Sequence, residues 1–149
     1  IYGGFYNYNK RRNLNNNYLE YNVEKMQKDK NSLWSHYSKF IKLRTKNKVI
    51  SQGKVKMLES NNTDIFAYIK SFENSNMLII HNFSSLDKKS FSININNSVL
   101  SAGNYNFKEI FNNSKIDGVE ISSSSKLNFE NESSVIKKHE TLIFNIIKN

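Results

Sequence analysis

The sequence predicts a mainly β fold: an antiparallel β-sandwich preceded by one amphipathic helix. Three observations predict it. After Gly53, apolar residues come in short alternating runs separated by clusters of Asn, Ser and Asp. One run, residues 77–83 (Met-Leu-Ile-Ile-His-Asn-Phe), is almost continuously apolar and suits a central strand. Only one stretch, Asn31 to Lys48, carries strong helical spacing.

In that stretch Leu33, Tyr37, Phe40, Ile41 and Arg44 recur three and four residues apart, and Trp34 widens the apolar face. Asn31 or Ser32 can cap the start by accepting from free backbone N–H groups. Lys42, Arg44, Lys46 and Lys48 fill the second half, where positive charge suits the carbonyl end. A helix this aromatic requires a partner surface.

Before the helix, residues 1–8 (Ile-Tyr-Gly-Gly-Phe-Tyr-Asn-Tyr) are aromatic, and residues 7–21 are Asn-rich without a clear period. Such a segment in isolation reads as loop or disorder. Val23 to Lys30 suits a short, weakly amphipathic helix. After the helix, Lys54 to Glu59 alternates as an exposed strand, and Ser60 to Asp64 is a turn cluster. Ile65 to Phe72 is a strand apolar on both faces, followed by a turn at Glu73 to Asn76 and the strand at Met77 to Phe83. Phe91, Ile93 and Ile95 mark a half-buried strand. Tyr105, Phe107 and Phe111 mark a further element, broken near Lys108-Glu109. Asp117-Gly118 has the composition of a tight turn. Val119 with Ile121, and Leu127 with Phe129, follow as short strands, and Glu140 to Lys148 is the last. One core is expected to gather Ile65, Ala67, Leu78, Ile80, Phe91, Phe144 and Ile146. Strands at this density, with polar turns between them, point to the sandwich.

Composition bounds the function. The chain has 149 residues, a net charge of +9, 38% hydrophobic residues and 13% aromatic residues, enough apolar surface for a real core. There is no cysteine, so thiolate catalysis and thiolate metal sites are excluded. No apolar run approaches the ~18 residues of a membrane span. The first residue is Ile1 rather than Met and no signal peptide precedes it, so the sequence reads as a piece of a longer chain. The positive charge comes from lysines scattered along an Asn/Lys/Ile-rich sequence. Lys10-Arg11-Arg12 and Lys137-Lys138 are no more than short local clusters, so no nucleic-acid partner is expected.

The stretch 31–44 (Asn-Ser-Leu-Trp-Ser-His-Tyr-Ser-Lys-Phe-Ile-Lys-Leu-Arg) resembles the last barrel helix of the α-amylase superfamily of glycoside hydrolases. Residues 64–70 (Asp-Ile-Phe-Ala-Tyr-Ile-Lys) and 77–84 (Met-Leu-Ile-Ile-His-Asn-Phe-Ser) resemble two strands of that family's C-terminal domain. Residues 139–144 (His-Glu-Thr-Leu-Ile-Phe) are similar to its closing segment, with Lys138 and His139 where the family has Pro and Tyr. The resemblance covers Asn22 to Ser84 and Glu140 to Ile147. It implies that residues 1–48 are the final loop and last helix of a catalytic (β/α)8 barrel, and that residues 49–149 are the C-terminal antiparallel sandwich. The nucleophile and acid/base carboxylates of that retaining family precede the last helix, so the chain is expected to carry no catalytic residue. The partners implied are the catalytic barrel of the same parent chain and, through it, an α-glucan. Self-association is expected where the barrel is absent. The resemblance leaves α-amylase, oligo-1,6-glucosidase and related activities open.

Residue by residue, no other chemistry stands out. Glu130 and Glu132 share one side of a strand near Lys126, as solvated residues do. His36, His81 and His139 have no ligand spacing, so no metal or cofactor is expected. Gly3-Gly4 lacks the Lys-Ser/Thr partner of a phosphate loop. Tyr2, Phe5, Tyr6 and Tyr8 are the candidate sugar contacts, because exposed rings can stack on pyranoses. The alternative for them is packing against the barrel. Leu33, Trp34, Tyr37, Phe40 and Ile41 are the candidate barrel-docking face. Two other readings are a carbohydrate-binding module and a basic nucleic-acid-binding β-domain.

Overall fold

A computed structural model describes residues 16–20, 22–111, 114–130 and 135–149. The chain divides into two units, Ile1–Leu43 and Arg44–Asn149.

The first unit holds helix α1 (Val23–Lys28) and most of helix α2 (Leu33–Lys46). Asn22 caps α1, its side-chain oxygen accepting from Lys25 N at 3.0 Å. Ser32 caps α2, accepting from Ser35 N at 3.1 Å while its own hydroxyl donates to Met26 O. Ser35 Oγ donates to Asp29 O at 2.7 Å, so the turn between the helices is tied from both sides. The single helix expected to reach Lys48 ends instead at Lys46. Asn47 interrupts it by capping a new one, α3 (Lys48–Gln52), its Oδ1 accepting from Ile50 N at 3.2 Å. A mid-pattern Asn that bonds its own backbone competes with helix continuation.

The second unit is the expected sandwich. Its strands are β1 (Lys54–Leu58), β2 (Ile65–Phe72), β3 (Ser75–Asn82), β4 (Phe91–Asn94), β5 (Gly103–Glu109), β6 (Lys115–Ile121), β7 (Lys126–Phe129) and β8 (Thr141–Lys148). Six form one antiparallel sheet in the order β1-β2-β3-β8-β5-β6, and β4 pairs with β7 as a second layer. The last strand of the sequence lies in the middle of the large sheet, between β3 and β5. Ile65, Ala67, Ile69, Leu78, Ile80, Phe107 and Phe144 from the large sheet meet Phe91, Ile93, Leu127 and Phe129 from the small one in one core. Phe91 and Phe129 are cross-strand partners, stacked with centroids 4.5 Å apart. All the expected core residues belong to this cluster, with Ile146 packed against its edge.

Gly53 joins α3 to β1 where a Cβ would lie 2.3 Å from Val49 O, so no larger residue fits that crossing.

Four local expectations are corrected. Asp117-Gly118 is not a hairpin turn: both residues lie inside β6, where Gly118 (φ 68) forms a bulge opposite the Tyr105–Phe107 step. Asn106 Oδ1 accepts from Gly118 N at 2.9 Å and holds that bulge. Val119 and Ile121 are the end of the same strand rather than a separate one. β5 is unbroken at Lys108-Glu109; Glu109 is fully buried, and its Oε2 accepts from Phe111 N at 2.7 Å, turning the chain after the strand. β2 is buried on one face only, with Phe66 exposed and Tyr68 half-buried on the other.

Candidate functional site

Period-two alternation splits the β2–β3 hairpin into two faces. Ile65, Ala67 and Ile69, with Leu78, Ile80 and Asn82, face the core. Phe66 and Tyr68, with Met77, Ile79 and His81, face outward, and the register places Phe66 opposite His81 and Tyr68 opposite Ile79. Met57 of β1 is opposite Tyr68 and Val55 opposite Lys70, which extends the apolar face to the sheet edge. Val55, Met57, Phe66 and Phe83 are all exposed, Phe66 by 40% and Phe83 by 68%.

Four rings form a continuous cluster on this face. Phe66 lies 5.7 Å from Tyr68, 6.1 Å from His81 and 5.9 Å from Phe83. His81 lies 5.8 Å from Tyr68 and 5.7 Å from Phe83. His81 Nδ1 is 2.8 Å from Thr141 Oγ1 on β8. Burial among the rings holds the His81 imidazole below its ordinary range and the Tyr68 phenol above its own. Both shifts favour the neutral forms, so the cluster is uncharged near neutral pH.

Asn82 explains why Phe83 points out. The Asn82 amide is buried, and its Nδ2 donates to Leu86 O at 2.8 Å, Lys137 O at 3.0 Å and Ile136 O at 3.3 Å. Its Oδ1 accepts from Ser84 N at 3.0 Å. Phe83 N donates to Asp64 O at 3.0 Å. The Asn-Phe-Ser triplet therefore knots the end of β3 to the segment before β8 and presents the intervening ring on the surface.

At the other end of the same sheet face, α3 packs on β2 and β3, with Val49 buried. Lys70 Nζ donates to Ile50 O and ties the helix down.

The docking residues expected on α2 form their own surface. Leu33, Trp34, Tyr37 and Ile41 are exposed, and Phe40 is half-buried with its ring 4.8 Å from His36. With Met26, Ser38 and Lys42, the exposed four line an apolar groove of about 520 Å³ within the first unit. Tyr2, Phe5, Tyr6 and Tyr8 lie outside the described residues, as do Lys10-Arg11-Arg12 and Glu132.

Three of the described acids hold the fold. Asp64 accepts from Lys88 Nζ at 2.6 Å, Asp87 from Lys138 N at 2.8 Å and Glu140 from Lys137 N at 2.7 Å. A polar cleft of about 350 Å³ lies between β1, β4 and β7, but its side chains mostly engage one another or nearby backbone. Asn94 Nδ2 donates to Glu59 at 3.3 Å, Asn96 Oδ1 accepts from Ser98 N at 3.0 Å, and Lys56 Nζ donates to Ser98 O. Among the described residues no cluster of His, Asp and Glu could hold a metal ion, and no helix is long and apolar enough to cross a membrane.

No protein-family model matches the chain. It is 36% identical over 70 residues to the oligo-1,6-glucosidase of Bacillus cereus, covering 47% of this chain and 12% of that enzyme. It is 34% identical over 67 residues to the trehalose-6-phosphate hydrolase of Bacillus subtilis, covering 45% and 12%. The chain is similar to the C-terminal portion of α-amylase-superfamily enzymes. Alpha-amylase 3 of Dictyoglomus thermophilum is 29% identical over 89 residues, covering 60% of this chain and 17% of that enzyme. The match thus spans 12–17% of the length of these curated relatives. The fold recurs in a maltogenic α-amylase of Thermotoga neapolitana (TM-score 0.60, 17% identity, 81% of this chain and 27% of that one). It recurs also in the trehalulose synthase of Pseudomonas mesoacidophila (TM-score 0.59, 18% identity, 90% and 21%).

Sequence reasoning missed the outer aromatic cluster as a site. Its signal was present: Phe66 and Tyr68 alternate on β2, and His81 and Phe83 alternate at and just past the end of β3.

Proposed function

We propose that this chain is the C-terminal part of a glycoside hydrolase that cleaves α-glucosidic bonds in starch, maltodextrins or isomalto-oligosaccharides. Its own role in that reading is structural. Residues 1–48 complete the catalytic barrel and residues 49–149 form the β-sandwich that braces it. Leu33, Trp34, Tyr37, Phe40 and Ile41 dock α2 on the barrel, and self-association covers them when the barrel is absent. The observation that carries this reading is the similarity to oligo-1,6-glucosidases, at 33–36% identity, confined to 12–15% of their length. The catalytic carboxylates of the retaining mechanism then lie in the rest of the enzyme.

The test is an activity assay on the chain by itself, with nitrophenyl maltoside and isomaltose. No hydrolysis above the buffer rate is expected. Turnover in a preparation free of host amylase would overturn the structural role. A parallel titration with maltoheptaose is expected to show no binding; saturable binding would make the sandwich a carbohydrate-binding module instead.

A further inference from the structure

A second cleft lies at the end of the large sheet where β2 turns into β3. It has a volume of about 580 Å³ and is bounded by the start of α3, the turn at residues 72–76 and the end of β8, all within the second unit. Its chemistry differs from that of the cleft between β1, β4 and β7, whose side chains mostly bond one another or nearby backbone. Here amide acceptors are spent while donors are not. Asn47 Oδ1 accepts from Ile50 N at 3.2 Å, and Asn76 Oδ1 accepts from Ser71 Oγ at 2.6 Å. Each amide is fixed through its oxygen and keeps its Nδ2 hydrogens for another acceptor. Among the described residues, the Lys46 ammonium and the Asn145 side-chain amide have no hydrogen-bond partner.

The charge balance favours an anion. Lys46 and Lys48 are both exposed, and Glu73 is the single carboxylate among the described residues that line the cleft. Lys48 Nζ lies 5.8 Å from the centre of the Phe72 ring, an attraction that holds the ammonium beside the cleft. Lys148 lines the cleft too, but its ammonium is committed to Ser101 Oγ at 2.9 Å and Ala102 O at 3.1 Å. The register places Lys108 directly opposite Asn145, and Lys115 opposite Lys108. Both lysines are exposed, alternating with residues that face the core. Two like charges opposite each other across a strand pair are unfavourable, and a nearby anion relieves them.

We propose that this cleft binds a small organic phosphomonoester through its phosphate group. Such a phosphate carries about −1.5 to −2 charges near neutral pH and three strong acceptor oxygens. Lys46 and Lys48 supply the opposite charge, Lys acting as a point charge toward phosphate. Asn47, Asn76 and Asn145 supply neutral N–H donors for the remaining oxygen lone pairs. A carboxylate, with one charge and two oxygens, would leave more of these donors unused. The cleft also exceeds what a lone phosphate fills, since whole small ligands occupy clefts of roughly 300–1,000 Å³. Met77 and Ile147 give its wall an apolar part for the carbon skeleton of the ester.

The test titrates the full chain at low ionic strength with glucose 6-phosphate, inorganic phosphate and glucose, by calorimetry and by NMR of the side-chain amides. Glucose 6-phosphate is expected to bind saturably with a Kd of about 1 mM or tighter, to shift the Asn76 and Asn145 amide signals, and to weaken as salt is added. Glucose should not bind. Lys46→Ala/Lys48→Ala should weaken the phosphomonoester by roughly tenfold or more, as loss of two charged partners predicts. Lys126→Ala/Lys137→Ala removes the same charge elsewhere and should leave the affinity unchanged. Circular dichroism confirms that each variant is folded. Inorganic phosphate binding as tightly as the ester, and lost in the same variant, would keep the phosphate site and overturn the ester as its source. Equal weakening by both double variants would reduce the effect to net charge and overturn the site. So would binding of glucose as strong as that of its phosphate, or no saturable binding of either phosphate.

Discussion

Ile80 and His81 are adjacent in sequence and opposite in circumstance. Ile80 is fully buried between the two sheets, whereas His81 sits in a half-open row of rings on the outside of the same strand. The inner face of the β2–β3 hairpin is completed by this chain's own β4, β7 and β8. The outer face is completed by α3 at one end and remains open at the other. The difference teaches that apolar content alone does not locate a core. Both faces are apolar, but only one finds enough partners within the described residues. Packing from both sides makes a residue costly to change for stability, and packing from one side makes it a candidate for recognition.

The sharpest way to test the contrast is to cut into each face. Leu78→Ala removes a side chain with no solvent exposure, and should cost ~2–5 kcal/mol by urea denaturation. A loss under ~1 kcal/mol would mean that the inner face is not a packed core. Asn82→Ala should come next, at ~1–3 kcal/mol, because three carbonyls, that of buried Ile136 among them, lose their donor together. Accelerated amide exchange at Ser84 and Lys88 would report the same loosening.

His81 supplies a test by pH. Burial lowers its folded pKa below the unfolded value near 6.5, so the unfolded chain takes up the proton first as pH falls. The stability that His81 contributes is therefore complete above about pH 6.5 and is lost as pH falls from there toward the folded pKa. The urea midpoint of the wild type should fall between pH 7.5 and pH 5 by more than that of His81→Gln. Parallel curves would show that the imidazole is as well solvated folded as unfolded. Phe66→Ser should have the smallest effect on the chain alone, within ~0.5 kcal/mol of wild type, since its ring is substantially exposed already. A loss comparable to that of Leu78→Ala would remove the distinction between the faces.

Much of this was legible in the sequence. The continuous run at 77–83 located a central strand, and the alternation around Ile65, Phe91 and Phe144 located the core, because burial follows parity directly. Asp117-Gly118 misled because an Asn/Ser/Asp-rich chain offers turn-like pairs almost everywhere. What chose the bulge was Asn106 reaching across from the neighbouring strand, a contact between residues twelve apart. Asn47 misled in a similar way: the basic, amphipathic pattern runs through it, while its side chain starts a new helix. The openness of Phe66 and Phe83 was not legible, because a strand apolar on both faces reads as buried on both. The candidate docking face on α2 was legible as a pattern, and its exposed side chains retain that pattern.

The central place of β8 bears on how the chain is made. Residues 141–148 are made after every other strand of the sandwich, yet β3 and β5 have no shared neighbour until they arrive. During synthesis the β1–β2–β3 meander can form early, with one long edge of β3 unpaired and its apolar residues bare. A nascent chain in that condition is a substrate for chaperones and a hazard for edge-to-edge pairing. The sandwich therefore closes only once residues 141–148 have been made, in one late step that inserts β8 between strands already made.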